Sequence, residues 1–337
     1  MRARRYALTA ALCMVAVALS ACGDDSGDGD AAGAEPKAGT WKTYLIGSPK
    51  DLKVPAPPSG NEAKVEAEEV QRLAGQRTAA TEEAVKKWSQ EPAMKPWLDL
   101  NIELVAHGVK DPPLASRSYS YLSAAVYDAV VAAWHWKYEY DRKPPTGVTT
   151  MTAASPAPSY PSEHAAIAGA ASRLLAHLFP ETPVGIFDEF ATEAAESRVQ
   201  AGVNYRSDVE AGLDLGRAVA DKYIARATTD GADKVWDGKR PPGIGRGPEF
   251  WEPPPNTIFP PTQPMAAMWK PWILDSTSQF RVPPPPAYGS PQFLADAREV
   301  MDVTAKLTPE QEQIARFWAG AQGSALPPGI WNQVALV

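Results

Sequence analysis

From Ser118 to Trp136, nineteen consecutive residues carry one charged side chain, Asp128, among Tyr, Ser, Ala, Val, Leu and Trp. A helix made from such a run is apolar on every side, and a helix of that kind belongs in an interior, of a protein or of a membrane. The serines, the tyrosines and the central Asp128 favour the protein interior. Asp111-Pro-Pro113 marks the point where the charged sequence before it gives way to this run. The chain therefore has to surround residues 118–136 with other elements.

Those elements are helical by their punctuation. Pro161-Ser162 opens a helix from Glu163 to Phe179, which Pro180 ends. Another runs from about Val184 to Val203. A further one starts at Ser207, where Ser207-Asp-Val-Glu210 fits a capping box, and continues to about Ala227. Gly212, Gly216 and Ala220, at steps of four, leave a groove along it where a second helix can approach closely. The stretch Gly60 to Gly108 is charged and helix-rich, with Trp88 and Trp97 as packing anchors and a break at Lys95-Pro96. No strand-period segment or Gly-rich phosphate loop interrupts the series, so the expected fold class is all-α, a helical bundle over residues 61–230.

The flanks read differently. Met1 to Arg5 is basic, Tyr6 to Leu19 is apolar, and Leu19-Ser-Ala-Cys22 follows, the pattern of an export leader over residues 1–21. The cysteine at that point resembles a bacterial lipoprotein box and implies lipidation of Cys22, which would tether an exported protein to the outer face of a membrane. Cys13 lies in the leader, so the remaining chain has no pair for an internal disulfide. Residues 22–60 begin with a small, acidic, aromatic-free stretch and read as a flexible tether and linker. Residues 231–337 hold fifteen of the 34 prolines between Pro241 and Pro291, interleaved with aromatics. Such a run is neither helix nor central strand. It reads as a wrapping arm held by Phe250, Trp251, Phe259, Trp269 and Trp272, offers a surface for a partner protein, and precedes two helices near Pro291 to Lys306 and from Thr308. The net charge of −7 becomes more negative still once Arg2, Arg4 and Arg5 leave with the leader, which argues against binding nucleic acid by phosphate neutralisation.

Chemistry enters through one misplaced charge. On a helical projection Phe187, Phe190, Ala191, Ala194, Arg198 and Ala201 share one stripe, so Arg198 sits in the middle of a buried face. An unpaired buried guanidinium is costly; Arg198 must meet a carboxylate, with Asp128 or Asp208 as candidates, or an anion. Ser162-Glu163-His164 stands at a helix N-terminus, where backbone N–H groups, the helix dipole and the Ser162 hydroxyl suit an anion and His164 can transfer a proton.

Pro161-Ser-Glu-His164, followed by Ser197-Arg198-x5-Asn204-x3-Asp208, resembles the second and third motifs of the type-2 phosphatidic acid phosphatase and vanadium haloperoxidase superfamily, P-S-G-H and S-R-x5-H-x3-D. Lys137, six intervening residues, Pro144 and Pro145 resemble the first, K-x6-R-P. The resemblance spans about Asp111 to Ala227. It implies an α-helical bundle in which Lys137, Ser162 and Arg198 bind a phosphate ester or vanadate, His164 serves as acid and Asp208 as orienting carboxylate. Three positions depart from the motifs: Pro144 replaces Arg, Glu163 replaces Gly, and Asn204 stands where the nucleophilic or vanadium-ligating His would be. Asn has no lone-pair nitrogen for a phospho-enzyme or a vanadium bond. Arg142 is the expected stand-in for the missing arginine, and His135 is the imidazole nearest to Lys137 in sequence.

No His/Cys/Asp cluster has zinc spacing, so no metal cation is expected, and vanadate is the only cofactor that the resemblance suggests. Two readings follow: an exported, lipid-anchored acid phosphatase-like or haloperoxidase-like enzyme, or a catalytically degenerate core kept as a scaffold or interaction lipoprotein. The stretches Phe280–Ser290, Thr308–Ala319 and Leu326–Asn332 also look like the segment that precedes a motif-bearing core in longer vanadium haloperoxidase-type proteins, which makes this chain the expected front part of a two-core protein.

Overall fold

Asp111 and Asp141 bracket the largely apolar run. The computed structural model describes residues 35–89, 92–108, 111–153, 155–239, 245, 247–250, 252 and 262–319. These form α1 (Gly60–Ala74), α2 (Ala79–Trp88), α3 (Lys95–His107), α4 (Pro112–Tyr140), α5 (Glu163–Leu178), α6 (Ile186–Gln200), α7 (Arg206–Ala227), α8 (Pro291–Ala305) and α9 (Pro309–Ala319), with three 3-10 turns and no strand among the described residues. The leader, Cys22, Trp251, Phe259 and residues 320–337 lie outside them.

Helix α4 starts where Asp111 accepts a hydrogen bond from Leu114 N–H, with prolines in its first turn, and stops at Asp141 in the left-handed region, φ 45°. Between these ends Tyr121, Leu122, Ala125, Val126, Ala129, Val131, Ala132 and Ala133 are buried, as expected of an all-round apolar helix. No described helix is long and apolar enough to cross a membrane.

Helix α5 packs against α4, α6 and α7. It can do so because its surface is alanine: Ala165, Ala166, Ala168, Ala170 and Ala171 are all buried. The groove along α7 receives it. A Cβ on Gly216 would lie 2.0 Å from the carbonyl oxygen of Ala166, and one on Gly212 would lie 2.4 Å from that of Ser162. From the other side, a Cβ on Gly169 would lie 2.2 Å from the Leu213 carbonyl oxygen. Any side chain at these three glycines would force the helices apart, so the contact sets the height of the α5 N-terminus against α7. Helix α7 itself begins at Arg206, where Asp208 accepts from Tyr205 N–H at 2.8 Å. The expected Ser207 cap is not formed; Ser207 instead donates N–H and O–H to Glu66 of α1.

The segment expected to be linker is, from residue 35 on, a strap along α4. Asp128 accepts N–H bonds from Tyr44, Leu45 and Ile46 at 2.8, 2.9 and 3.2 Å, and the Tyr223 hydroxyl from α7 completes its shell. Trp136 Nε1, Tyr140 O–H and Tyr160 O–H donate to the carbonyls of Leu52, Val54 and Pro55. A Cβ on Gly39 would lie 2.4 Å from the His135 backbone nitrogen. One buried carboxylate thus orders three backbone donors, and aromatic donors extend the strap along the helix.

The arm returns to the bundle through Trp272, whose ring meets Tyr121 and Tyr223 and carries the Arg226 guanidinium 4.1 Å above it. Arg226 also donates to the carbonyls of Lys270 and Pro271. Beyond it the chain leaves the core. The described residues of α8 and α9 are exposed, apart from partly covered Phe293 and Ala297.

Candidate functional site

The C-terminal turn of α4, the N-terminus of α5, the end of α6 and the turn into α7 meet around a cavity of ≈ 510 Å³ lined by Lys137, Ser162, Glu163, His164, Arg198 and Asn204. Each side chain reaches it for a local reason. Lys137 lies one turn before the end of α4 and is 4% exposed. Ser162 is the N-cap of α5, so Glu163 and His164 occupy the first turn beside it. Arg198 ends the buried stripe of α6 and is 3% exposed.

Lys137 Nζ donates to the Pro158 carbonyl at 2.6 Å and forms an ion pair of 3.1 Å with Glu163 Oε2. The carboxylate that replaces the motif's glycine therefore points inward and meets the cation expected to hold the anion. Burial opposes the charge on Glu163, yet the Lys137 ammonium and the adjacent His164 hold its carboxyl below the ordinary range. Arg198 donates to the Ser89 hydroxyl at 2.6 Å and to Ser197 Oγ at 3.1 Å. Neither carboxylate proposed for it is used in that way: Asp128 holds the strap, and Asp208 is bound by Arg142, Asn204 and Tyr205.

His164 Nε2 is buried and makes no hydrogen bond, and Nδ1 stands 3.9 Å from Glu163 Oε1. Burial pushes its pKa down to about 4; Glu163 works against that shift, and Arg198 and Lys137 add to it. The imidazole is thus neutral at neutral pH, without the second ring proton that the acid role assigned by the resemblance needs.

Asn204 is held on three sides. Its Nδ2 donates to the Ser159 carbonyl at 2.9 Å and to Asp208 Oδ2 at 3.3 Å, and its Oδ1 accepts from the Ser162 hydroxyl at 3.3 Å. Ser162 Oγ also accepts from Ala165 N–H, so its proton is directed to Asn204 and not into the cavity as expected. Asp208 does orient the residue at 204, but that residue is an amide.

Arg142 corrects another expectation. It lies outside the cavity wall, donating to Ser207 Oγ at 2.7 Å, Asp208 Oδ1 at 2.8 Å and Glu66 Oε2 at 2.7 Å, with its guanidinium 4.1 Å from the Tyr205 ring centroid. The left-handed Asp141 turns the chain between Lys137 and Arg142, which sends the two cations to different places. Pro144 does line the cavity, leaving an apolar ring where the motif has a guanidinium. His135 packs beside Trp136 and under the strap, away from the cavity. Ser89, Thr150 and Thr152 line the cavity without any motif having announced them, since a lone hydroxyl residue carries no sequence signal.

No group of three or more His, Cys, Asp or Glu among the described residues could hold a metal ion. As a prosthetic group vanadate does not fit these residues, because Asn204 has no nitrogen lone pair to bond vanadium. As a free oxyanion it is equivalent to phosphate here.

The PAP2 superfamily model matches residues 118–226. A bacterial vanadium-dependent iodoperoxidase of known structure is similar at 22% identity and TM-score 0.50, over 57% of each chain, so this chain spans little more than half the length of that protein. A bacterial vanadium-dependent chloroperoxidase, holo-type, is similar at 15% identity and TM-score 0.45 over 59% of this chain and 58% of that one. A transmembrane PAP2-type phosphatidylglycerolphosphate phosphatase from Bacillus subtilis is similar at 16% identity and TM-score 0.41, over 50% of this chain and 88% of that one. No curated protein matches. The motifs and the matched model fall on the same segment: residues 118–226, about a third of the chain, are similar to the PAP2 superfamily.

Proposed function

We propose that this chain is an exported, lipid-anchored protein that binds a phosphate-type oxyanion, a phosphate ester or free vanadate, without covalent attachment. The observation that carries the reading is the presence of Lys137 and Arg198 on one cavity at the Ser162-capped end of α5. Two cations and a helix N-terminus attract an anion, and Glu163 offsets part of that charge. The family's covalent route is closed by Asn204.

Arg198→Ala tests it by calorimetry with phosphate and orthovanadate. Losing the charge-assisted bonds should weaken binding about tenfold or more. Unchanged affinity, or no binding by the parent protein, rejects the reading. The anchor has its own check: Cys22→Ser should move the protein from the membrane fraction to the soluble one.

A second reading has one observation in its favour. The neutral, unpartnered Nε2 of His164 can take a proton from a water whose oxygen bonds to the phosphorus of a phosphate monoester as the ester P–O bond breaks, and pass that proton to the departing alkoxide, which would give slow hydrolysis with no phospho-enzyme. Asn204→His should raise phosphomonoesterase activity if the pocket is otherwise competent, and His164→Gln should abolish whatever activity the parent has. A parent protein with no hydrolysis, unmoved by Asn204→His, leaves binding alone.

A further inference from the structure

The cavity presents an unusual set of partners to an incoming anion. Lys137 and Arg198 are donors and carry charge. Glu163 is an acceptor only, and its Oε2 is paired with Lys137 while Oε1 faces His164 at 3.9 Å, beyond hydrogen-bond reach. Ser162 directs its proton to Asn204, and the Asn204 amide is committed to Ser159 and Asp208. An oxyanion that is itself only an acceptor would satisfy the cations and then set one oxygen against the Glu163 carboxylate. An oxyanion bearing one hydroxyl would donate to that carboxylate instead.

We infer that the site selects a tetrahedral oxyanion that still carries a proton, a hydrogen phosphate group either free or as a monoester, over anions that have none. This deepens the oxyanion reading above and rests on it. Glu163 is then a specificity-determining residue and not merely a flaw in the motif: its carboxylate both neutralises part of the cationic charge and reads the ligand's hydroxyl. The physical basis is the cost of two facing acceptors, against a charge-assisted O–H···O bond when one of them is protonated.

The test is calorimetric titration of the purified chain at pH about 5.5, below the second phosphate ionisation near 6. Four anions are used: inorganic phosphate, methyl phosphate, dimethyl phosphate and sulfate. Dimethyl phosphate matches the charge of the other two phosphates but has no hydroxyl, so it separates the proton from the charge. The parent protein should bind phosphate, methyl phosphate or both about tenfold or more tightly than dimethyl phosphate and sulfate. Stronger binding of methyl phosphate than of phosphate assigns the site to a monoester, and the reverse assigns it to the free ion. Glu163→Gln, whose amide can donate, should shrink the discrimination to within about threefold. Glu163→Gly serves if Glu163→Gln lowers the melting temperature too far, and should gain affinity for dimethyl phosphate.

Equal binding of all four anions by the parent overturns this inference and leaves the oxyanion reading standing. A parent that binds none beside a Glu163→Gln variant that binds all overturns both readings of the parent, since Glu163 would then simply block the cations. Absence of binding in both the parent and the variants overturns the oxyanion reading itself.

Discussion

Two clusters of buried charge lie on either side of Ser159 to Asn204, and they end differently. Around Arg142 every charge is answered: Glu66, Ser207 and Asp208 receive its guanidinium, and Asn204 and Tyr205 N–H complete Asp208. Around Lys137 the answer is incomplete. Glu163 meets the lysine, but His164 keeps a buried ring nitrogen with no partner and the group faces a cavity. A saturated cluster of this kind has nothing left to offer a ligand and acts as a rivet between α1, α7 and the turn that follows α4. An unsaturated one is where a ligand has something to gain, because buried polar groups normally find partners. The motif would have put both cations on one anion; the turn at Asp141 has divided their work.

The contrast can be broken most severely at the rivet. Arg142→Ala leaves Glu66 and the fully buried Asp208 without their cation, and should cost about 3–5 kcal/mol, read as a lower urea midpoint. A loss below about 1 kcal/mol would show that the cluster is no rivet.

The open cluster should show itself in pH before it shows itself in stability at neutrality. The His164 pKa is lowered from 6.5 to about 4, so in this interval the unfolded chain takes up a proton that the folded chain refuses. Stability should therefore fall as pH drops from about 6.5 to about 4, by about 3 kcal/mol at most from this group. His164→Gln should flatten that part of the profile while leaving the stability near pH 7 within about 1 kcal/mol of the parent's. A parallel acid profile for parent and variant would refute the burial of the imidazole.

The smallest effect sharpens the comparison by supplying its baseline. Arg217 and Asp214 pair at 3.4 Å on the exposed face of α7, three residues apart, with the aspartate 79% exposed. Arg217→Ala should change the stability read from denaturation by less than about 0.5 kcal/mol. A loss as large as that of Arg142→Ala would mean that charge count, and not saturation in a buried cluster, governs stability here.

Periodicity and punctuation carried a good part of the architecture. The largely apolar run of α4, the stripe on α6 that ends in Arg198, and the small-residue steps on α7 are local patterns. Each maps onto one helix face, and the structure uses those faces as the patterns imply. Other features had no local signature. Residues 35–59 look like linker because their order comes from Asp128, more than eighty positions away, and from the indole and phenol donors of α4 and Tyr160. The partner of Arg142, Glu66, stands 76 residues before it on a helix with no motif. Ser89 meets Arg198 across 109 residues.

Residue types and spacing along the chain were thus sufficient to specify an all-helical core and its central buried helix, whereas the group of side chains near the start of α5 came from the motif resemblance. They could do so because helix faces repeat every few residues, and burial acts on faces. Which way Glu163 turns, which cation is left to face the cavity, and where the proton of Ser162 goes were settled only by the assembled bundle. A side chain's direction at a helix end, and the choice among competing buried partners, depend on distances between segments that the linear order does not contain.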